Sequence, residues 1–415
     1  MTVHLLATRR FLPLFVTQFL GALNDNLFKN AMVLLLLWRA GAAGPALVAA
    51  AGGVFILPYA LFSSLAGELA DRSVMAGLIR WVKLFEIGLM VLGSVGFLTA
   101  DPWLLMAVLF GLGVHSTFFG PVKYAILPVQ LREGELVGGN GLIEAGTFLA
   151  ILIGTIAGGG LVLLDGGAWI VSAAGIAVAV LGYAASRGIV RTPPASPGLA
   201  LDWNIWRGTA GILRLSRANP EVWRAVLAIS WFWTVGATVL SQFPVLARDV
   251  LGGNGAVVTV LLATFSLGIG AGSMLEARLL KGHVSLRHVP WACFGISVFT
   301  FDFVLASGEA RFADPAAVFA AAAGWRILGD LFGLAVCGGV FSVPLYTVMQ
   351  ERSDSAIRSR VIAFNNVMNA GFMVAGAIVA AGLASQGVGA PVILVITGVI
   401  NLAALGVLIG WARAG

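Results

Sequence analysis

The sequence predicts an all-α polytopic membrane protein with twelve transmembrane helices in two six-helix halves, and three observations carry that reading. Hydrophobic residues make up 59% of the 415 and charged ones 11%, too little polar surface for a soluble globule of this length. Apolar runs long enough to cross a bilayer, which takes about 20 residues, recur along the whole chain. One polar stretch, from about Arg191 to Glu221, divides them six and six.

In order, the spans fall near 11–38, 46–70, 78–99, 103–128, 140–163 and 168–189, then 222–247, 255–279, 289–308, 316–349, 359–385 and 390–412. The domains read as 1–190, a linker over 191–221, and 222–415. The tenth span is longer than one crossing needs and contains Arg326 and Asp330, an i, i+4 pair expected to be structural.

Loop charge sets the orientation. With both termini cytoplasmic, that side collects Arg9, Arg10, Arg72, Arg80, Lys83, Arg132 and the arginines of the linker, against Arg39, Arg248 and Arg311 opposite. This is the positive-inside asymmetry. The net charge of +6 therefore belongs to the membrane and not to a nucleic acid. Trp203, Trp206, Leu213 and Leu215 beside the linker arginines suit either an amphipathic segment on the membrane face or a plain tether.

The first span carries the most unusual stretch, Gln18 to Ala31, where Asn24, Asp25, Asn26, Lys29 and Asn30 interrupt an apolar run. An Asp or Lys at the centre of a spanning helix costs on the order of 2.5–3.5 kcal/mol, so such a pair has to face protein or water. Asp25 and Lys29 are i and i+4, which allows a purely local ion pair; the functional reading is a substrate-facing polar patch. Glu86 and Asp302 are further ionisable residues in or near spans, and His115 alone of the four histidines lies within one.

Some rivals fall away on residue pattern. No cleavable leader is read before the first span, no Walker A loop for ATP-driven transport is present, and no histidine has an acid five residues on, as an acyltransferase acting on lipids needs. Cys293 and Cys337 sit in apolar runs and read as packing residues. Neither a metal nor a cofactor is called for, and the chain is not expected to be an enzyme.

The halves echo one another. Asn140 to Phe148, N-G-L-I-E-A-G-T-F, is matched by N-N-V-M-N-A-G-F from Asn365, and G-E-L-A-D-R from Gly67 is matched more faintly by G-S-M-L-E-A-R from Gly272. Parallel six-helix repeats with a midplane site between them are the plan of the major facilitator superfamily, and Gly67 to Arg72 resembles its signature loop between the second and third helices. Gly67, Asp71 and Arg72 are accordingly gating candidates. S-V-M-A-G after Arg72 departs from that signature, which usually has a glycine and paired basic residues there.

Three longer segments carry a more specific resemblance. Q-F-L-G-A-L-N-D-N-L-F-K-N-A from Gln18, F-F-G-P-V-K-Y-A-I-L-P from Phe118, and Leu136 to Gly159 look like the bacterial lysophospholipid transporter family; in the second half, Gln350 to Arg352 and their flanks match best. The resemblance implies a flippase in the bacterial inner membrane. It would move lysophosphatidylethanolamine and related lysolipids to the cytoplasmic leaflet for reacylation, as part of phospholipid remodelling by alternating access. A separate acyltransferase/acyl-carrier-protein ligase is the implied partner, and a monomer is expected. Asp25, Lys123 and Glu144 carry over as the polar residues of the family's motifs, with Asn26, Lys29, Tyr124 and Asn140 beside them as substrate-binding candidates. Some members have a basic residue in the seventh helix; here Ser241 and Gln242 stand there, so that element of headgroup recognition is missing or replaced, and Gln242 is counted as a substrate-binding candidate.

Chemistry of the residues agrees. A lysolipid presents one acyl chain, a phosphate and often an ammonium, so its site needs a cation, an anion and an apolar wall. Lys123 suits the first, Asp25 or Glu144 the second, and Phe15, Phe19, Phe118, Phe119 and Phe148 the third. Structural alternatives stand beside these: a snorkelling role for Lys123 and a helix-dipole role for Glu144. The rival function is a proton- or sodium-coupled exporter of a drug or small solute, with Asp25 as coupling acid.

Overall fold

In a bilayer every backbone polar group has to be satisfied within its own segment, which leaves helices as the way for apolar runs of this length to cross. The computed structural model describes residues 2–39 and 44–413, and the runs form twelve long helices. These are α1 Leu12–Arg39, α2 Gly44–Arg72, α3 Met75–Thr99, α4 Pro102–Ala125, α6 Leu136–Leu161, α7 Gly167–Ser186, α9 Pro220–Val245, α10 Gly255–Leu280, α11 Val289–Gly308, α13 Ala322–Arg352, α14 Arg358–Ser385 and α15 Ala390–Arg413. Three short ones intervene: α5 Leu127–Gln130, α8 Ile205–Arg217 and α12 Pro315–Ala320. Eleven of the long helices contain a stretch long and apolar enough to cross a membrane; among the described residues α1 is the exception. Its shortfall comes from the Asn, Asp and Lys residues already singled out.

Helix starts follow the sequence where it supplies caps. Asp101, Asn219 and Asn254 each accept hydrogen bonds from the first free backbone amides of α4, α9 and α10, and Pro102 and Pro220 take the first helical position. The long tenth run divides at Ala321, whose extended backbone separates α12 from α13. Arg326 does not pair with Asp330 as the i, i+4 spacing suggested. It reaches α11 instead, where its Nη2 lies 2.5 Å from Asp302.

Small residues set how closely the helices pack. At Gly158 on α6 a Cβ would stand 2.2 Å from the Leu27 carbonyl oxygen of α1, and at Gly272 on α10 it would stand 2.0 Å from the Val336 carbonyl of α13. These approaches are possible only for glycine. Within the first six helices α1 packs on α6 and α7, and α3 on α4 and α7; within the last six α13 packs on α9, α10 and α11. Between the sets, α6 meets α10 and α2 meets α14.

The end of the molecule where α1 begins and α15 finishes also carries the α2–α3 loop and the linker, and is called the basic end here. Among the described residues, every hydrogen bond between the first six and the last six helices lies there. One residue assigned to the loops of that end by sequence is placed differently. Lys83 sits two turns into α3 with none of its side chain exposed, bonded to Glu86.

The linker is ordered. Ser196 donates its backbone N–H to the Asp71 carbonyl and its hydroxyl to Ala356, so it touches both sets. Helix α8 turns Gly208, Ile212 and Ser216 inward at a spacing of four, against α2, α9 and α14, while Trp203 and Trp206 stay largely exposed. An amphipathic helix thus replaces the plain tether.

Candidate functional site

The polar stretch of α1 opens onto a cavity of about 380 Å³ between the two sets of helices, within the usual range for small-molecule sites. Gln18, Asp25, Asn26 and Lys29 reach it from α1, Phe55, Ile56 and Tyr59 from α2, and His115, Ser116, Phe119, Lys123 and Tyr124 from α4. Glu144, Thr147 and Ile151 of α6 complete that side; Trp233 of α9, Tyr346 of α13 and Asn366, Asn369, Ala370 and Met373 of α14 face them.

Its charges are held without being neutralised locally. Asp25 accepts a hydrogen bond from Ser116 at 2.7 Å through Oδ2, while its Oδ1 is buried without a partner. Lys29 forms no ion pair with Asp25 and lies instead 5.9 Å from the centre of the Phe55 ring, a distance at which the ring face attracts a cation. Glu144 is 1% exposed, and neither of its carboxylate oxygens has a hydrogen-bond partner. Lys123 points over the Tyr124 ring at 4.8 Å and lines the cavity, so it does not snorkel. Two lysines and two acidic residues thus face one cavity.

The crowding of asparagines in α1 has a mixed explanation. Only Asn26 lines the cavity. Asn24 donates to Glu86 at 2.9 Å, and Asn30 donates to Thr155 of α6 at 3.2 Å, so these two fasten α1 to its neighbours. Glu86 is the centre of a wholly buried cluster. It takes Asn24 and Lys83 on its two oxygens, and His115 Nε2 lies 3.2 Å away. His115 therefore has the cavity on one side and this cluster on the other.

Two of the expected substrate contacts lie elsewhere. Asn140 is fully buried at the basic end, where its Nδ2 donates to Gln350 Oε1 at 2.6 Å and to Thr347 at 3.0 Å; it joins the two sets of helices and does not line the cavity. Gln242, near the far end of α9, donates to its neighbour Ser241 and also lies outside the cavity. Of the five phenylalanines proposed as a tail wall, Phe119 alone lines it. Phe15 stacks on Phe19, and Phe148 is buried against Trp233 and Phe265. Phe55, Ile56, Ile151, Trp233 and Met373 supply the apolar surface instead. They were not legible as such because the sequence does not say which face of an all-apolar helix looks inward.

At the basic end the cavity has a floor. Tyr124 and Tyr346 stack with ring centres 4.6 Å apart, and Gln350 donates to the Tyr124 carbonyl. Behind it, Asp71 takes the Ser359 backbone N–H and the Arg360 guanidinium, each at 3.0 Å, while Gly67 packs on the backbone of Arg360. Arg72, expected to share the gate, is exposed; the arginine that meets Asp71 comes from α14. The second copy of the pattern behaves differently. Its buried Glu276 meets His288 of its own set at 3.0 Å.

Comparison with known proteins agrees with this architecture. The family model of the Major Facilitator Superfamily matches residues 14–329, and the lysophospholipid transporter LplT of Escherichia coli O157:H7 is 30% identical over 364 residues, 85% of this chain and 83% of its own. The chain belongs to the major facilitator superfamily and, within it, to the family of LplT. LplT of Shigella sonnei (strain Ss046) matches to the same extent. Among solved structures, a bacterial homologue of the iron transporter ferroportin in an outward-facing state superposes with a TM-score of 0.74 at 14% identity, covering 98% of this chain and 100% of its own. The human organic anion transporter MFSD10 gives 0.77 at 14%, over 96% and 99%. At that identity the likeness is one of fold. This chain is a membrane transporter and not an enzyme, and its cavity is where a superfamily member is expected to hold substrate.

Proposed function

We propose that this transporter moves lysophospholipids, lysophosphatidylethanolamine among them, across the bacterial inner membrane to the cytoplasmic leaflet for reacylation. The observation that carries the reading is the cavity itself: Lys29 and Lys123 for a phosphate, Asp25 and Glu144 for an amine, and Phe55, Ile56, Phe119 and Met373 for a single acyl chain. The relatives at 30% identity are lysophospholipid transporters.

Both termini, the linker and the other basic loops would then be cytoplasmic. The bonded end is the inner gate, shut, and the cavity faces outward. Transport proceeds as the bundles 1–190 and 222–415 rock about the cavity, breaking Asp71–Arg360 and Asn140–Gln350 at one end while closing the other. The protein works as a monomer, and a separate acyltransferase/acyl-carrier-protein ligase consumes its product.

Leaflet-resolved uptake of labelled lysophosphatidylethanolamine into vesicles carrying the pure protein tests this. Lys123→Ala should abolish most uptake with normal insertion, and Lys123→Arg should retain part, since arginine also binds phosphate with different geometry. Uptake of a soluble solute driven by a proton or sodium gradient, with lysolipid left in its leaflet, would establish the exporter instead.

A further inference from the structure

Helix α8 has a face that the bundle does not use. Gly208, Ile212 and Ser216 turn inward, whereas Trp206, Arg207, Ala210, Arg214 and Arg217 are exposed. At about 3.6 residues per turn these five fall on one side of the helix, and Trp203, 76% exposed, stands just before it. No acid occurs within α8. Of the two nearest in sequence, Asp202 is taken by Arg207 at 2.6 Å and Glu221 by Arg352 at 3.2 Å. Arg217 lies 4.9 Å from the centre of the Trp223 ring, a contact that leaves its charge in place. Among the described residues, neither Arg214 nor Arg217 pairs with a carboxylate.

The helix also lies at a telling depth. A Cβ at Gly208 would stand 2.2 Å from the Ser64 hydroxyl of α2, and Glu68 accepts the Asp202 backbone N–H at 2.7 Å. Ser64 comes about two turns, or about 12 Å, before α2 ends at Arg72. Helix α8 therefore rests against the flank of that span and not beneath its tip. A protein docking from water meets the tips of the spans first; lipid headgroups surround their flanks. At that level tryptophan is favoured, and anionic phospholipids attract basic side chains.

We infer that the outer face of α8 binds anionic phospholipid headgroups of the bilayer, with Arg214 and Arg217 on their phosphates and Trp203 and Trp206 among them. This holds whatever the cavity carries and whichever side of the membrane the basic end occupies. The inner face of α8 rests on α2 of one set and on α9 and α14 of the other, so the bound lipid sits over the seam between the two sets.

The test uses full-length protein lacking Cys293 and Cys337, with Ala210→Cys carrying an environment-sensitive fluorophore. The protein is placed in phosphatidylcholine vesicles with increasing phosphatidylglycerol in both leaflets. Emission should move to the blue as phosphatidylglycerol rises, and high salt should weaken the shift. Arg214→Gln and Arg217→Gln, both at exposed positions, should each lower the apparent affinity for phosphatidylglycerol roughly fivefold, and together roughly thirtyfold. Equal emission in phosphatidylcholine with and without phosphatidylglycerol overturns the assignment. A shift that survives both arginine changes also overturns it, because the lipid then binds elsewhere. Emission blind to lipid but moved by polyglutamate present on both sides gives the face to an acidic polypeptide and rejects lipid as its occupant. No lysolipid enters the measurement, so failure here leaves the transport reading untouched, and failure of transport leaves this surface standing.

Discussion

Asn140 and Gln350 exchange hydrogen bonds across the two sets of helices: Asn140 Nδ2 donates to Gln350 Oε1 at 2.6 Å, and Gln350 Nε2 returns one to Asn140 Oδ1 at 3.0 Å. Both side chains are fully buried. Removing Asn140 leaves Gln350 Oε1 buried without its donor, at about 1–3 kcal/mol, while Gln350 Nε2 keeps the Tyr124 carbonyl. Asn140→Leu should therefore favour opening of the basic end by roughly five- to a hundredfold. The reporter is Ser359→Cys in a background lacking Cys293 and Cys337, because Ser359 is buried beside Asp71 and its hydroxyl has no partner to lose. Its labelling rate by a thiol reagent should rise in Asn140→Leu, and an unchanged rate would mean that the pair does not hold the gate.

Asp25 and Lys29 give a different test because they stand apart. With Asp25 held by Ser116 and Lys29 beside Phe55, neither relies on the other for its place. Asp25→Asn should keep the Ser116 bond and normal insertion while uptake falls at least tenfold, the loss of one charge-assisted contact. The double change Asp25→Asn with Lys29→Met should stay folded and inactive. Recovery of uptake in the double variant would return the two residues to the role of a local ion pair.

How much of this was readable beforehand depends on what kind of constraint acts. Span positions follow from bilayer thickness, and eleven of the twelve long helices lie within four residues of the apolar runs; the tenth run, 316–349, divides at Ala321 into α12 and α13. The motif residues Asp25, Lys123 and Glu144 do face one cavity. Lys83 misled because a lysine near the start of a helix reads as a loop charge; Glu86 stands three residues on in the sequence, but that α1 covers the pair, with Asn24 bonded to Glu86, is visible only in three dimensions. Asn140 misled for the opposite reason: its motif lies partly in the cavity and partly at the gate, and the residue four positions on, Glu144, is the one that turns inward.

Outside the membrane, Arg10 grips Glu135 with two hydrogen bonds, of 2.5 and 2.6 Å, and ties the start of α1 to the start of α6. These bonds and the Arg132 backbone N–H hold the Glu135 carboxyl below its ordinary value. A depressed carboxylate adds stability that is complete above the unfolded pKa of about 4.3 and is lost as pH falls through the folded one. Heating curves of wild type and Glu135→Gln should thus differ at pH 7 and converge below about pH 4. Curves that run parallel down to pH 3 would remove the pair from the stability of this end.

The last test concerns the cluster behind the cavity wall. Lys83 and Glu86 are wholly buried and bonded to each other, with Asn24 on the second carboxylate oxygen and His115 3.2 Å away on the cavity side. Helix α1 packs directly on the lysine, since a Cβ at Gly21 would stand 2.8 Å from its Nζ. Glu86→Gln then leaves a buried cation without its counter-charge, which destabilises by about 3–5 kcal/mol, and the variant should lose most of its monodisperse fraction after mild heating in detergent. Lys83→Met together with Glu86→Gln removes both charges at once, and stability should largely return. Transport by that stable double variant decides what the cluster is for. Full activity makes it a fastening between α1, α3 and α4 alone, whereas a well-folded protein with reduced uptake means that Glu86, through His115, sets the charge felt by substrate in the cavity. Wild-type heat stability in Glu86→Gln would overturn the premise that the pair is an electrostatic unit.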